Sequence, residues 1–456
     1  MVRERFFLEL EPPGTLPREA PHVVIVGGGF AGLKAAHALA GSAVRVTLID
    51  RRNFNLFQPL LYQVATGLVS ESDVASPLRQ LVGRAPNVQV LMGEVDDLDP
   101  AAREVVFNHR RYRYDHLILA AGATSSFFGH DDWRQQAIPM KTLGDAETIQ
   151  RHVLSALEEA EQTPDAQRRE LLQSVVVIGG GPTGCELAAS LIDLMRHTLA
   201  REFKQLDPAK CRVTLVDPGD RVLRAMDPEL SAAAGDRLKQ VGVEVLLGGR
   251  VKAIEERLVR LSVGEAEQTL AAGTICWTAG VAPSSLGRLL AERTGCPIDK
   301  GGRVVVAPDF SIPDHPEIRV VGDLCSYSPS ADAKPLPGMA GPAVQMGTWV
   351  ARDILERSRG REHRPFRYVD FGTMAVIGPL FAVADLRGWK VSGAFGFLLW
   401  ALAHLAFMPA RENRLILLTK WLWMILVRQR SALVISEPVA VAEAPAAAAA
   451  AVSPGS

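Results

Sequence analysis

The feature that most constrains this chain is a motif written twice. His22-Val-Val-Ile-Val-Gly-Gly-Gly-Phe-Ala-Gly32 is echoed, one domain length later, by Val175-Val-Val-Ile-Gly-Gly-Gly-Pro-Thr-Gly184. In each copy an unbroken apolar run leads into a glycine turn and then an Ala-rich helical pattern, Leu33 to Leu39 and Cys185 to Leu191. A second strand ending in an acid follows each one: Arg45-Val-Thr-Leu-Ile-Asp50 and Arg212-Val-Thr-Leu-Val-Asp217. Unbroken apolar runs predict parallel strands covered on both faces, so each copy reads as a βαβ unit. Small residues at Gly27, Gly29 and Gly32, and again at Gly179, Gly181 and Gly184, let the backbone turn tightly and bring a helix N-terminus against a pyrophosphate. Asp50 and Asp217 then stand where an acid accepts hydrogen bonds from a ribose. Two complete fingerprints predict two dinucleotides, most simply a tightly held flavin dinucleotide and an exchangeable nicotinamide dinucleotide. An acid at Asp217 repels a 2′-phosphate and so favours NADH over NADPH, although Arg221 stands close by in sequence.

A second pair of segments repeats as well. Tyr114-Asp-His-Leu-Ile-Leu-Ala-Ala-Gly-Ala-Thr124 and Gly273-Thr-Ile-Cys-Trp-Thr-Ala-Gly-Val-Ala-Pro283 are strands running into small-residue turns, which adds Gly122 and Gly280 to the candidate binding residues. Ile318-Arg-Val-Val-Gly-Asp323 is a further strand, ending in Gly322 and Asp323. The 456 residues suffice for two to three domains, and 50 basic against 51 acidic residues give no sign of a nucleic-acid partner. The five cysteines, at 185, 211, 276, 296 and 325, show neither C-x-x-C nor zinc spacing, so neither a redox cysteine pair nor a metal site is expected. Met1 to Ala20 reads as a disordered leader rather than a secretion signal, and the Ala- and Pro-rich stretch 436–456 as a flexible tail.

Two apolar stretches lie near the C-terminus, Phe395 to Met408 and Leu415 to Val427. Both are shorter than the roughly 20 residues a membrane-spanning helix needs. With Trp400, Trp421 and Trp423, and a rim of Arg411, Arg414, Lys420, Arg428 and Arg430, they read as a monotopic anchor in the headgroup layer. An open alternative is that they form a buried homodimer interface or pack on the core. On the anchor reading, a chain ended after Lys390 should keep both nucleotide domains and leave the membrane.

Beyond the fingerprints, Asn53-Phe-Asn-Leu-Phe-Gln-Pro-Leu-Leu-Tyr-Gln-Val-Ala-Thr-Gly67 resembles the segment that follows the flavin acid in type II NADH:quinone oxidoreductases. So do Lys141-Thr-Leu-Gly-Asp-Ala146, Gly179-Gly-Gly-Pro-Thr-Gly-Cys-Glu-Leu-Ala188, the stretch from Pro337 to Ala351 and the basic, aromatic C-terminus. The resemblance spans about residues 20 to 435. It implies that Gly27, Gly29, Gly32, Asp50 and Gly122 belong to an FAD site, with Gly322 and Asp323 at its ribityl and pyrophosphate end. It also implies that Gly179, Gly181, Gly184, Asp217 and Gly280 hold NADH, and that Glu186 points near the nicotinamide–flavin contact. Gln345 would stand beside the flavin ring at a quinone pocket. The plainer alternatives are a first-turn carboxylate favoured by the helix dipole for Glu186, and a surface amide for Gln345. Asn55, Gly341 and Pro379-Leu-Phe381 depart from residues common in the family, and they bear on the acceptor side.

The resulting expectation is an α/β protein with two doubly wound Rossmann-type dinucleotide-binding domains. The FAD domain is discontinuous, 20–145 and 300–365, with an NADH domain, 146–299, inserted in it. A membrane-surface segment, 366–435, and the tail complete the chain. The implied activity is hydride transfer from NADH to FAD and electron delivery to a membrane quinone, without proton pumping. The implied place is the cytoplasmic face of the cell inner membrane, as a peripheral protein. The competing readings are a soluble NADH-dependent reductase of a protein such as a ferredoxin, and a nucleotide-binding regulator without turnover.

Overall fold

The computed structural model describes residues 19–198, 202–330, 332–430 and 432–435; the expected tail and nearly all of the expected leader lie outside these described residues. The chain divides into two compact units. The first comprises the chain up to Leu56, Ala75–Thr124 and Val281–Asp370; the second comprises Phe57–Val74, Ser125–Gly280 and the chain from Phe371.

The first unit is built on a six-stranded sheet in the order Ser311–Ile312, His315–Val320, His116–Leu119, His22–Val26, Arg45–Asp50, Val88–Met92. All neighbours pair in parallel except the first two strands. His22–Val26 is buried along its whole length, as an unbroken apolar run between two neighbouring strands requires. On this sheet the fingerprint helix Phe30–Leu39 meets the helix Ala340–Ser358 across small residues. A Cβ at Gly347 would stand 2.0 Å from the carbonyl oxygen of Ala31, so only glycine permits this approach.

The second unit repeats the plan with five parallel strands in the order Ile138–Pro139, Thr274–Trp277, Ser174–Ile178, Arg212–Asp217, Val243–Leu247. In both units the fingerprint strand lies between the strand ending in the acid and the strand leading to Gly122 or Gly280. Each unit also carries a three-stranded antiparallel sheet that the sequence pattern did not reveal, 95–113 in the first and 249–271 in the second. The doubly wound α/β expectation therefore holds for both.

The unit boundaries fall at 124/125 and 280/281 rather than 145/146 and 299/300. The cause is packing. In the second core Phe127 stacks on Trp277 and Trp133 meets it edge-on. The helix Ser285–Thr294 buries Leu290 in the first core, with Gly287 against Leu324 and Val304. The motif Lys141–Ala146 proves to be a helix start. Thr142 accepts a hydrogen bond from the Asp145 amide and Asp145 accepts one from the Thr142 amide, a capping box for Leu143–Gln162.

The segment expected as a separate C-terminal element groups with the second unit. It opens with an antiparallel sheet, Thr373–Val376, Ala382–Leu386 and Trp389–Ser392, and continues as the helices Gly393–Phe407 and Arg411–Val427. No described helix is long and apolar enough to cross a membrane. Three details correct the sequence reading. Trp400 and Trp421, expected at an interface with lipid, are 1 % and 3 % exposed and pack against each other at 5.1 Å. Lys420 is ion-paired with Asp73, and Arg430 with Asp193, so neither belongs to a free basic rim. An end after Lys390 would strip the buried indoles away, so that truncation does not isolate an anchor. The outward face is apolar instead: Leu415, Leu426 and Trp423 are 65 %, 79 % and 55 % exposed, beside Phe395, Leu398, Leu402 and Leu422.

Candidate functional site

The two glycine loops have the same geometry. Gly27 and Gly179 take φ of 102° and 115°, a region open to glycine and strained for other residues. A Cβ at Gly32 or at Gly184 would lie 1.8 Å from the carbonyl oxygen of Gly27 or Gly179, which fixes how closely each helix returns to its strand. Gly29 and Gly181 are the helix N-caps, carry no side-chain cap and have nothing within 4 Å of a Cβ position. Uncapped helix N–H groups behind open space make a cradle that fits a pyrophosphate.

Asp50 and Asp217 are each 8 % exposed, and each holds backbone amides. One oxygen of Asp50 accepts from the Gly28 amide at 2.6 Å and the other from the Arg52 amide at 2.7 Å. Asp217 accepts from Gly180 and Gly219, both at 2.7 Å. Each acid thus clamps its own loop. Further braces were not read from the sequence. Asn55 donates to the Gly28 carbonyl at 2.8 Å, and the Leu223 amide donates to the Gly180 carbonyl at 2.8 Å. Thr278 Oγ1 donates to the carbonyls of Ile178 and Gly179. The buried Oδ1 of Asn55, beside the first loop, has no protein partner among the described residues, which fits a ligand group reaching that point. Asn55 thereby braces the first glycine loop.

Gly122 takes φ of 67° with open space at its Cβ position, whereas a Cβ at Gly280, φ 77°, would meet Phe128 and the Ser126 carbonyl. Gly322, φ 72°, packs toward Ala31 and Ala343, and Asp323 lies against Gly338. In the first unit the structure thus gathers Gly27, Gly29, Gly32, Asp50, Gly322 and Asp323 on elements meeting at the helix Phe30–Leu39. In the second it gathers Gly179, Gly181, Gly184, Asp217 and Gly280 around the helix Pro182–Asp193. Gln345 uses its amide fully: Nε2 donates to the Val369 carbonyl at 2.8 Å and Oε1 accepts from the Val369 amide at 2.9 Å.

Glu186 is the fifth residue of its helix, beyond the first turn, and is 8 % exposed. Burial pushes its carboxyl up to about 8, partly opposed by the Val376 amide, which donates to it at 3.2 Å. It lines a cavity of about 40 Å³ with Tyr62, Ser190, Trp400, Trp421 and Arg430. The Asn53–Gly67 segment supplies part of this wall. Tyr62 is buried, and Gln63 accepts from Trp421 Nε1 at 2.9 Å and donates to Tyr62 Oη. Ser190 and Asp193 were not read from the sequence as site residues, yet Glu186, Ser190, Asp193 and His197 recur at helical spacing in a run otherwise apolar except for Arg196, a signal open to reading.

The sequence profile of the pyridine nucleotide-disulphide oxidoreductase family matches residues 21–347. The chain is 38 % identical over 441 residues to the type II NADH:quinone oxidoreductase Ndh of Mycobacterium tuberculosis, covering 95 % of this chain and 94 % of that one. It is 39 % identical to NdhA of the same organism over 88 % of this chain and 86 % of that one. The chain belongs to the type II NADH:quinone oxidoreductases. The solved structure of NDH2 of Plasmodium falciparum in complex with NADH shares the fold, with a TM-score of 0.83 at 17 % identity, over 91 % of this chain and 99 % of that one. As a type II NADH:quinone oxidoreductase the chain departs from what its broader family's description names. All five cysteines are buried and unpaired, and burial raises the thiols of Cys276 and Cys325 to about 12.

Proposed function

We propose that this chain oxidises NADH through a bound FAD and passes the electrons to a membrane quinone, without pumping protons. The observation that carries the reading is the pair of complete, clamped nucleotide loops on a chain that matches a type II NADH:quinone oxidoreductase along nearly its whole length. In this scheme Gly27, Gly29, Gly32, Asp50, Gly122, Gly322 and Asp323 hold FAD. Gly179, Gly181, Gly184, Asp217 and Gly280 hold NADH, with Asp217 positioned to accept from the ribose hydroxyls. Bound flavin supplies the two-electron chemistry that no side chain can. The protein orients the two nucleotides by their phosphates, excludes water and keeps Glu186 protonated near neutral pH. Gln345 is assigned to the acceptor side, where its grip on Val369 sets the backbone. The outer leucines of the two C-terminal helices rest on the membrane surface with the exposed Arg411, Arg414 and Arg428, on its cytoplasmic face.

The test is turnover of the full-length chain with NADH and either a short-chain quinone or a ferredoxin. Quinone turnover, with a flavin spectrum bleached by NADH, is the expected result. Ferredoxin turnover alone would favour the soluble-reductase reading. Replacing Leu415, Trp423 and Leu426 by Gln should leave the flavin spectrum intact and release the protein from vesicles.

A further inference from the structure

The acid of the second loop has a cationic neighbour. The strand Arg212–Asp217 runs out into Pro218-Gly-Asp-Arg-Val-Leu-Arg224, and this segment turns back on the glycine loop. Leu223 is buried and takes a left-handed φ of 49°, and its amide donates to the Gly180 carbonyl at 2.8 Å. A leucine keeps that conformation only where its surroundings hold it there. The turn lays Arg224 across Gly219, where a Cβ would lie 2.5 Å from the Arg224 Nε. It also brings the guanidinium to 3.7 Å from Asp217. That separation makes an ion pair and not a hydrogen bond. The Arg224 side chain is 56 % exposed, so its N–H groups stay open to a ligand.

Four charged groups share this segment: Asp217, Asp220, Arg221 and Arg224. Arg221 is 3.8 Å from the exposed Asp220 and donates to the Arg224 carbonyl at 3.4 Å, which steadies the turn. Two acids and two guanidiniums balance, so a dianion arriving beside Asp217 meets no net negative charge. The first loop is the control. There Arg52 stands 3.9 Å from Asp50, but its side chain is 29 % exposed and lies over the Phe54 ring at 5.4 Å. The arginine of the first loop is used in packing, whereas that of the second faces outward.

An acid at this strand end accepts from the ribose hydroxyls of a bound dinucleotide, and a 2′-substituent then meets whatever flanks the acid. Here the flanking group is Arg224. We propose that Arg224 recognises a 2′-phosphate, so that the second nucleotide site takes NADPH as a further, weaker hydride donor beside NADH. The inference rests on the function proposed above and adds a second substrate to it. The Arg224 guanidinium binds a phosphate oxygen and offsets the repulsion that Asp217 alone would exert. Asp217, still an acceptor for a free 2′-hydroxyl, keeps NADH the tighter ligand. The reaction is otherwise unchanged: NADPH + quinone + H⁺ gives NADP⁺ + quinol, the hydride leaving the nicotinamide as it does from NADH.

The experiment uses the full-length flavoprotein, with ferricyanide as acceptor, and sets two competitors of NADH side by side. These are 5′-AMP and 2′,5′-ADP, which differ only in the 2′-phosphate. In the unsubstituted protein 2′,5′-ADP should compete within about tenfold of 5′-AMP. Arg224→Gln should raise the ratio of the 2′,5′-ADP to the 5′-AMP inhibition constant about tenfold, as expected for one lost charge-assisted hydrogen bond. Arg224→Lys, which keeps the charge, should lose less. KM for NADPH should rise in step with the ratio while kcat holds. Arg224 is exposed, and a retained flavin spectrum checks that each variant folds. An unmoved ratio in Arg224→Gln would overturn the assignment, as would 2′,5′-ADP competing more weakly than that tenfold margin in the unsubstituted protein. Failure of NADH to bleach the flavin of the unsubstituted protein would overturn the functional reading, and the inference with it.

Discussion

The two glycine loops solve one backbone problem identically and differ in everything placed around it. Both use a left-handed first glycine, a last glycine pressed on the first, and an acid that clamps the amide just after the first. Around the first loop the brace is a side chain, Asn55; around the second it is backbone from Leu223, with Thr278 added. Gly122 opens onto space, while Gly280 is closed in by Phe128. The contrast is greatest along the two fingerprint helices. At matching distances from their loops, the first carries Lys34 and Ala38, and the second carries the buried Glu186 and Ser190. A repeated unit keeps what geometry forbids it to change and takes on new chemistry where packing leaves a free face.

The largest test of this comparison is steric. Gly32→Ala and Gly184→Ala each place a carbon 1.8 Å from a carbonyl oxygen, and each should cost on the order of 3 kcal/mol or more. The comparison predicts different losses. Gly32→Ala should purify without flavin, whereas Gly184→Ala should keep its flavin spectrum but resist bleaching by NADH.

A smaller effect concerns the acids. Asp217→Ala removes two charge-assisted hydrogen bonds, worth about 1.5–3 kcal/mol each, from the second loop alone. KM for NADH should rise at least tenfold with flavin content unchanged. With Pro218→Arg added, preference should move toward NADPH. An unmoved preference would place Asp217 away from the ribose.

The smallest effect is one of pH. The Glu186 carboxyl is raised from an ordinary 4.5 to about 8, so the folded state holds a proton there that the unfolded chain releases. That group lowers stability progressively as pH rises from about 4.5 to about 8. Glu186→Gln should therefore flatten the fall of Tm across this window and raise Tm by a few degrees at pH 8, whereas Lys34→Gln, in the other copy, should do neither. Parallel Tm profiles for Glu186→Gln and the unsubstituted protein would show that Glu186 is not held neutral.

What could be read in advance follows from the range of the forces involved. The fingerprints were legible because a left-handed turn and a 1.8 Å approach admit only glycine, and such constraints are local. The clamps by Asp50 and Asp217 were half legible: the acids stood out, but their bonds to Gly28 and Gly180 depend on strand pairing. Trp400 and Trp421 were misread because an indole against lipid and an indole in a core look alike in a short apolar helix. Only packing decides which, and here it turned them inward. Lys420 and Arg430 were misread for the same reason, since their partners Asp73 and Asp193 lie far away in sequence.

The inward tryptophans have a consequence for the life of the molecule. The last two helices are fastened by Trp400, Trp421, Lys420, Arg430 and the Asn413 amide, which donates to the carbonyls of Ser72 and Asp73. Their outer leucines take no part in that fastening. On the membrane reading proposed above, adhesion through that outer face is separate from the contacts that hold the fold, so substitutions there would change how long the protein stays on a surface while the catalytic body stays the same.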